Sequence, residues 1–307
     1  MYHYSSDQIT IEIPTNSETG PVRIGGVPGL VPTVMVGSIY HTGDRLVLDA
    51  KSGRIDRDKT EATLEAVSEV SAKSGIPSVL DVVAVTPDAM ATYVRYLSDV
   101  TDMPLMIDGS GSHEVNLAGL RAASEIGIMD RIILNSLGPD DNDAVYKQLR
   151  DMGLKNALLL AFNSEAMASS EKRVELAKTL IERATQSGIE NVMVDTGVID
   201  LLTLGPACNA IRRVKDETGV PSGCGAHNAV NTWEGLVAKF GKSAKRPAQV
   251  GSSLMPVTMG ADFILYGPVK HAPIVFPSVA MVDVALSGVF LEERVRPKKP
   301  HPRYLIG

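Results

Sequence analysis

Polar side chains recur at the ends of short apolar segments along this 307-residue sequence. Most are carboxylates and carboxamides, and lysine and arginine are nearly absent from these positions. The set comprises Asp81, Asp108, Asn135, Ser136, Asn163, Asp195, His227 and Asn228. An ionised carboxylate only accepts hydrogen bonds, whereas a carboxamide both donates and accepts them. This composition predicts a site for a ligand with a flat array of donors, and not a phosphate site, which would need a cation.

Eight short runs rich in valine, isoleucine and leucine contain or precede these polar residues. They lack polar alternation, which is typical of parallel strands covered on both faces. Their bounds are Thr33–Ile39, Ser78–Ala84, Pro104–Ser110, Arg131–Leu137, Ala157–Asn163, Val192–Gly197, Pro221–Asn228 and Phe263–Pro268. Four successive runs begin at residues 78, 104, 131 and 157. That spacing is the length of a strand, a helix and two short loops.

Helical patterns fill the gaps, often with proline at the start and glycine just after the end, as helix termini favour. They cover Asp58–Ser74, Pro87–Val100, Ser112–Glu125, Pro139–Met152, Ser164–Gln186 and Pro206–Thr218. Alternating strands and helices predict a parallel α/β sheet, and eight such units fit a (β/α)8 TIM barrel. We predict one domain over residues 1–307, with an N-terminal hairpin at about 8–24 that closes the barrel bottom.

The carboxyl ends of barrel strands form the active-site mouth in this fold, so we expect the polar residues to share one cavity. A pterin ring suits it, because its exocyclic amine and adjacent ring N–H can meet one carboxylate side by side. The alternative is that each aspartate only caps the helix that follows it. The joint occurrence of such residues on four strands favours the shared site.

Composition limits the partners and the compartment. The formal net charge is −6 and the pI about 5.6, which argues against nucleic acid as a partner. The two cysteines suit a reducing cytoplasm. Residues 1–10 are polar and lack the apolar region of a secretory signal. The most apolar segment near the C-terminus, Ile274–Phe290, is interrupted by Asp283, so we predict no membrane insertion and a cytoplasmic protein.

Two other motifs have simpler explanations. Cys208, Cys224 and His227 could form a zinc site, but no CxxC or HExxH spacing exists, and we predict no protein-bound metal. Gly241 begins a P-loop-like Gly-Lys-Ser, but Leu236 stands where the motif needs glycine. The basic residues of this region are either a solvated turn or a contact for the acidic tail of a folate or for a partner protein; they are Lys242, Lys245 and Arg246.

Four segments of the sequence resemble a known family. They are Ile-Leu-Asn-Ser at 133–136, Leu-Leu-Ala-Phe-Asn at 159–163, Gly-Val-Pro-Ser-Gly-Cys-Gly-Ala-His-Asn at 219–228 and Phe-Ile-Leu-Tyr-Gly-Pro-Val-Lys-His-Ala-Pro-Ile-Val-Phe-Pro at 263–277. The chain resembles the H-subunit family of tetrahydromethanopterin S-methyltransferase and its bacterial relatives, methylcorrinoid protein:tetrahydrofolate methyltransferases of glycine betaine-type demethylation pathways. It is more distantly similar to the pterin-binding barrels, among them dihydropteroate synthase.

The resemblance implies roles for individual residues. Asp108, Asn135 and Asp195 correspond to the residues that hold the pterin ring, and Asn228 to the asparagine that reaches the methyl-bearing N5. The position before that asparagine is small in the distant relatives but is His227 here, so its role stays open between shaping the pocket and handling protons. We assign Asn228 and His227 to catalysis and six residues to pterin binding: Asp81, Asp108, Asn135, Ser136, Asn163 and Asp195.

The function implied is a methyltransferase that moves a methyl group between a corrinoid cobalt and N5 of a tetrahydropterin. We predict transfer from methylcorrinoid to tetrahydrofolate, although tetrahydromethanopterin shares the same head. The corrinoid signature D-x-H-x-x-G is absent around Asp108, so the cobalamin must arrive on a separate small corrinoid protein. The resemblance also implies a homodimer. The alternatives are a non-catalytic folate-binding assembly subunit and a phosphosugar lyase or isomerase, which would need a lysine at a strand end.

Overall fold

A closed barrel of eight parallel strands organises the chain. The computed structural model describes residues 4–17 and 20–306. The barrel strands are β3 (Val34–Ile39), β6 (Ser78–Val83), β7 (Leu105–Asp108), β8 (Ile132–Leu137), β9 (Asn156–Leu160), β10 (Asn191–Asp195), β11 (Ser222–Cys224) and β12 (Phe263–Pro268). Around the barrel they follow the order β10, β11, β12, β3, β6, β7, β8 and β9. The predicted TIM barrel is therefore confirmed.

Helices cover the outside of the barrel. They are α1 (Arg57–Ser74), α2 (Pro87–Val100), α3 (His113–Glu125), α4 (Asp143–Asp151), α5 (Ser170–Gln186), α6 (Leu201–Thr218), α7 (Asn228–Asn231), α8 (Gly235–Phe240), α9 (Lys245–Thr258) and α10 (Ala272–Val289). Local signals fix most of their starts: the side chains of Asp56, Thr86 and Ser112 each accept a hydrogen bond from a backbone amide of the first turn.

Strand alternation stacks the barrel interior in layers. Side chains at every second position point inward, and Val36, Val79, Met106, Ile133 and Leu158 form one apolar cluster inside the barrel. Two residues further toward the carboxyl end, the inward position of β9 is Leu160, but the inward positions of five other strands are polar. They are Ser38 on β3, Asp81 on β6, Asp108 on β7, Asn135 on β8 and Asp195 on β10.

An N-terminal hairpin closes the bottom of the barrel, as predicted. Strands β1 (Thr10–Ile13) and β2 (Val22–Gly25) pair antiparallel, and their buried side chains join the interior apolar cluster. Residues 18 and 19 of the predicted range lie outside the described residues. A buried Lys215, ion-paired with Asp262, donates to the Gly26 carbonyl at 2.9 Å and ties α6 to the hairpin's end. A second hairpin, β4 (Val47–Asp49) with β5 (Arg54–Ile55), lies between β3 and α1.

Several predicted bounds differ from those observed. The seventh barrel strand ends at Cys224, and the predicted extension to Asn228 is instead a turn leading into α7. Helix α6 begins at Leu201, so Pro206 lies inside it rather than at its start. The proline deprives only the carbonyl of Leu202 of an amide donor, and Leu202 is 84% exposed, so water can replace that bond.

Helix α10 belongs to the segment Val269–Val289, whose length and mean hydropathy of 1.7 match a membrane-spanning helix. The expectation that Asp283 excludes such a segment was wrong on length and composition. In the structure this segment supplies the eighth barrel helix, which packs on α1 and α9. Asp283 is buried and accepts from the amide and hydroxyl of Thr33 at 2.8 and 2.9 Å. A helix with this packing is apolar whether or not a membrane is involved.

Candidate functional site

Parallel pairing in register brings the polar residues of neighbouring strands side by side. Ser38 pairs with Asp81 across β3 and β6, and Asp108 pairs with Asn135 across β7 and β8. Because all four point into the barrel, they form a continuous polar layer directly above the apolar interior. Asp195 lies at the same end of the barrel on β10, beyond Leu160 of β9. We call these five residues the polar layer: Ser38, Asp81, Asp108, Asn135 and Asp195.

Asp81 organises one half of the polar layer. Its carboxylate accepts from the Ser38 hydroxyl at 2.8 Å and from the Asn135 amide at 3.1 Å. Burial raises the pKa of Asp81, and these two hydrogen bonds oppose the rise. The bond to Asn135 leaves the amide oxygen of Asn135 as an acceptor for a ligand. The predicted role of Asp81 in ligand binding stays a prediction; the structure shows that Asp81 also orients Asn135. Ser38, its other partner, was not predicted.

Asp108 ends β7 and is poised to titrate near neutrality. Burial, with the neighbouring carboxylate of Asp81 adding to it, raises the pKa of Asp108 to about 7. One oxygen accepts from the backbone amide of Ser110 at 2.7 Å, which partly stabilises the ionised form. A ligand offering N–H donors would stabilise that form further, so binding and deprotonation are linked at this residue.

Asp195 lies on the other side of the mouth, at the end of β10. Its carboxylate accepts from the backbone amide of Gly197 at 2.7 Å and from that of Gly225. Burial raises the pKa of Asp195 to about 6, against these hydrogen bonds and the nearby charge of Arg173. Asp195 therefore needs less ligand stabilisation to ionise than Asp108 does.

Arg173 is a part of the site that the sequence analysis missed. It lies on α5 and is completely buried. Its guanidinium donates at 2.6–3.0 Å to four backbone carbonyls, those of Ala166, Met167, Thr196 and Gly197, and it stacks 5.0 Å from the ring centre of Phe162. These bonds fix the loops that follow β9 and β10, and so hold Asp195 in place.

Asn228 and His227 occupy the turn after β11. The Asn228 amide donates to the Val198 carbonyl at 2.9 Å; since a carbonyl only accepts, the amide oxygen is left to receive a donor. By the same reasoning His227 carries its proton on Nδ1, which lies 3.0 Å from the Leu265 carbonyl. Burial lowers the pKa of His227, so the neutral ring presents Nε2 as a proton acceptor.

Asn163 and Ser136, the remaining two predicted site residues, lie outside the polar layer. The Asn163 side chain accepts from the backbone amide of Ala166 at 2.9 Å and caps the turn after β9. Strand β9 itself ends at Leu160, so Asn163 follows the strand rather than ending it. Ser136 is half-buried at the register shift between β8 and β9. Neither is joined to the polar layer by a hydrogen bond among the described residues, and their predicted roles in pterin binding remain predictions.

Among residues 4–17 and 20–306, no group of three or more histidine, cysteine or acidic side chains is placed to hold a metal ion. Cys208 and Cys224 are free and buried. Burial raises the pKa of Cys208 to about 12 and that of Cys224 well above its usual value. Both thiols are therefore neutral at physiological pH, whereas zinc binds the thiolate.

Comparison with known proteins shows the family. The profile of the family described as tetrahydromethanopterin S-methyltransferase MtrH subunit matches residues 14–297. The H subunit of that enzyme from Methanothermobacter thermautotrophicus is 33% identical over the full length of both chains. The corresponding protein from Methanosarcina acetivorans is 31% identical over 88% of this chain and 89% of its own.

Solved structures show the same fold. A structure described as Yersinia pestis DHPS, a dihydropteroate synthase, with a pterine–sulfa conjugate superposes with a TM-score of 0.63. It covers 90% of this chain and 100% of its own, at 12% sequence identity. At that identity the likeness concerns the barrel alone.

Proposed function

We propose a function from the premise that the chain belongs to the tetrahydromethanopterin S-methyltransferase MtrH subunit family. It is a methyltransferase of that family on a barrel shared with pterin-binding enzymes. The proposed reaction moves a methyl group from a methylated corrinoid protein to N5 of tetrahydrofolate. Tetrahydromethanopterin, which carries the same pterin head, is the alternative acceptor. The observation that carries this proposal is the polar layer, with carboxylates and a free amide oxygen facing one mouth.

Recognition of the pterin head follows from the acceptors in that layer. Asp195 and Asp108 each offer a carboxylate that can accept from the ring N–H and amine, and Asn135 offers an oriented amide oxygen. Burial makes each pairing worth more than it would be in water, because an unpaired buried donor or acceptor costs about 1–3 kcal/mol. A ring with the complementary donors is therefore held in one orientation.

The methyl step needs alignment more than acid–base power. The N5 lone pair attacks the methyl carbon, the N5–carbon bond forms, and the bond between methyl and carrier breaks with its electron pair left on the carrier. N5 becomes cationic and then releases its proton. The free amide oxygen of Asn228 accepts from N5–H and orients the lone pair toward the methyl group. His227 Nε2 is the proposed proton acceptor.

The carrier and the assembly are also part of the proposal. The corrinoid is a substrate presented by a separate small protein that docks over the mouth. We further propose a homodimer working in the cytoplasm, a setting that fits two reduced, buried cysteines. The direction of transfer is set by the methyl supply, because Asn228 serves both directions.

A single reaction tests the proposal. Purified protein is mixed with tetrahydrofolate and free methylcobalamin, and the visible spectrum is followed with and without protein. Growth of the cob(I)alamin band together with formation of 5-methyltetrahydrofolate supports the methyltransferase. Tight folate binding without any transfer, also when a methylated corrinoid protein replaces the free cofactor, would indicate a non-catalytic role. Absence of folate binding would refute the pterin site.

The phosphosugar alternative receives no support from the geometry. Such an enzyme would need a cation at the mouth's centre to bind phosphate or form a Schiff base. Among the described residues, the inward positions of the polar layer carry oxygen groups, and the nearest lysine in sequence after β12, Lys270, is exposed.

A further inference from the structure

Acidic and basic side chains lie on different sides of the barrel mouth. The buried carboxylates lie on β6, β7 and β10, as described above. The three consecutive strands β11, β12 and β3 lead instead into histidines and lysines at the rim. We call this set the basic rim; it comprises His41, His227, Lys245, Lys270 and His271.

The members of the basic rim lie close enough to interact. Burial, followed by the charges of Lys270, Lys245, His227 and His41, lowers the pKa of His271 to about 4. His227 is kept neutral by its own burial. Burial therefore leaves His227 and His271 neutral at neutral pH, and Lys245 and Lys270 are the cationic side chains beside them.

Both lysines of the basic rim are exposed and carry their charge without an ionic partner among the described residues. No ion pair within 4 Å involves Lys245 or Lys270 in the part of the chain that the structure describes. Nearby carboxylates are already engaged: Asp44 accepts from two backbone amides of its own loop, and Asp56 pairs with Lys59. In a chain with a net charge of −6, two such lysines beside the site point to an anionic ligand.

A groove adjoins the basic rim. It has a volume of about 400 Å³ between the first half of α1 and the start of α10, and its two cationic lining residues are Lys270 and Lys59, of which Lys59 is paired with Asp56. Its lining is mostly apolar, contributed by Leu46, Ala62, Ala66, Val269 and Pro273. An apolar floor with a cation at its edge suits a flat ring that bears a carboxylate.

We propose that the basic rim and this groove bind the tail of the substrate, with its aryl group in the groove and its carboxylates at Lys245 and Lys270. The inference rests on the proposed function, because the tail is attached to the head that the polar layer binds. In this arrangement the polar layer binds the pterin head, and the basic rim binds the tail of the same substrate molecule. The ligand class is thus a pterin carrying a folate-type aryl-glutamate tail.

Calorimetric titration with two ligands tests the proposal. 5-Methyltetrahydrofolate carries the head and the tail, whereas 6-methyltetrahydropterin carries the head alone. Lys270→Ala and Lys245→Ala should each weaken binding of the tailed ligand about 2- to 5-fold at low ionic strength, the range for exposed charge pairs. The double variant should lose about tenfold, and added salt should shrink the difference. Lys147→Ala, an exposed lysine on α4, is the matched control and should change nothing.

The outcomes separate the two proposals. Binding of the head-only ligand should stay within about twofold in every variant, because those lysines do not touch the polar layer. A wild-type protein that binds both ligands equally, or a double variant that keeps its preference for the tailed ligand, overturns the tail site and leaves the pterin site standing. A wild-type protein that binds neither ligand overturns the proposed function and the tail site with it.

Discussion

Pterin affinity should fall as the solution becomes more acidic, and Asp108 should be the cause. Its pKa of about 7, raised by burial and by Asp81, means that the carboxyl is about 90% ionised at pH 8 and about 10% at pH 6. A ligand that donates to the carboxylate binds only the ionised fraction, so affinity should be about tenfold weaker at pH 6. Asp195, with a pKa of about 6, adds about a further factor of two.

Replacing the carboxyl group of Asp108 separates its contribution to the pH dependence of pterin affinity from that of Asp195. Asp108→Asn cannot ionise, so the tenfold change should disappear and only the twofold contribution of Asp195 should remain. Affinity at pH 8 should fall by about 5- to 100-fold, since the ligand loses a charged acceptor and meets an amide. The carboxamide keeps nearly the same volume, which preserves the packing of β7.

Calorimetric titration in buffers of different ionisation heat measures the protons released directly. With 6-methylpterin, the wild type should release about 0.9 proton from Asp108 at pH 6 and about 0.1 at pH 8. Thermal melting at both pH values confirms that the variant is folded. Equal proton release at pH 6 by the wild type and by Asp108→Asn would show that ligand binding does not use ionised Asp108.

Four further outcomes are expected. Arg173→Lys should lower the free energy of unfolding by about 2–4 kcal/mol in urea titrations, because one ammonium cannot serve four carbonyls, and pterin affinity should fall with it. Asn228→Ala should slow single-turnover methyl transfer about 10- to 1,000-fold and change folate affinity far less; an unchanged rate would move the chemistry to His227 or water. The pKa of Asp283, raised to about 7 by burial, means that the folded state retains a proton which the unfolded state loses near pH 4. Its contribution to stability is therefore lost as pH rises, and Asp283→Asn should remove about 2–3 kcal/mol of the wild-type decline between pH 5 and 8. Chelators should leave methyl transfer intact; zinc lost together with activity would instead support the cysteine site.

The barrel could be predicted because its signals are local and repeated. Apolar runs, capping residues and glycines after helices each report on a few neighbouring residues, and eight repeats leave one closed arrangement. The predicted bounds of helices and strands were wrong where a contact between residues far apart in the sequence determines them. Helix α5 was predicted from Ser164 but begins at Ser170; the carbonyls of Ala166 and Met167 in the preceding turn instead accept from the distant Arg173 guanidinium.

The site was predictable to the extent that strand ends share one mouth. Asp108, Asn135 and Asp195 were placed correctly on their strands, but the bond between Asp81 and Asn135 links residues 54 positions apart and has no local signature. Arg173 did leave a trace in the sequence. It stands in the same helical stripe as Ala177, Leu180 and Ala184, all buried, and a charged residue on an apolar stripe indicates a buried partner.

The hairpin that fills the bottom of the barrel has a consequence for the order of events. Because β1, β2 and the interior apolar layer occupy the lower half, a pterin reaches the polar layer only through the mouth. Under the proposed function, the methyl carrier docks over that same opening, above the ring. Pterin must therefore bind before the carrier and leave after it, so a saturating carrier would trap the bound pterin and slow its exchange with free ligand.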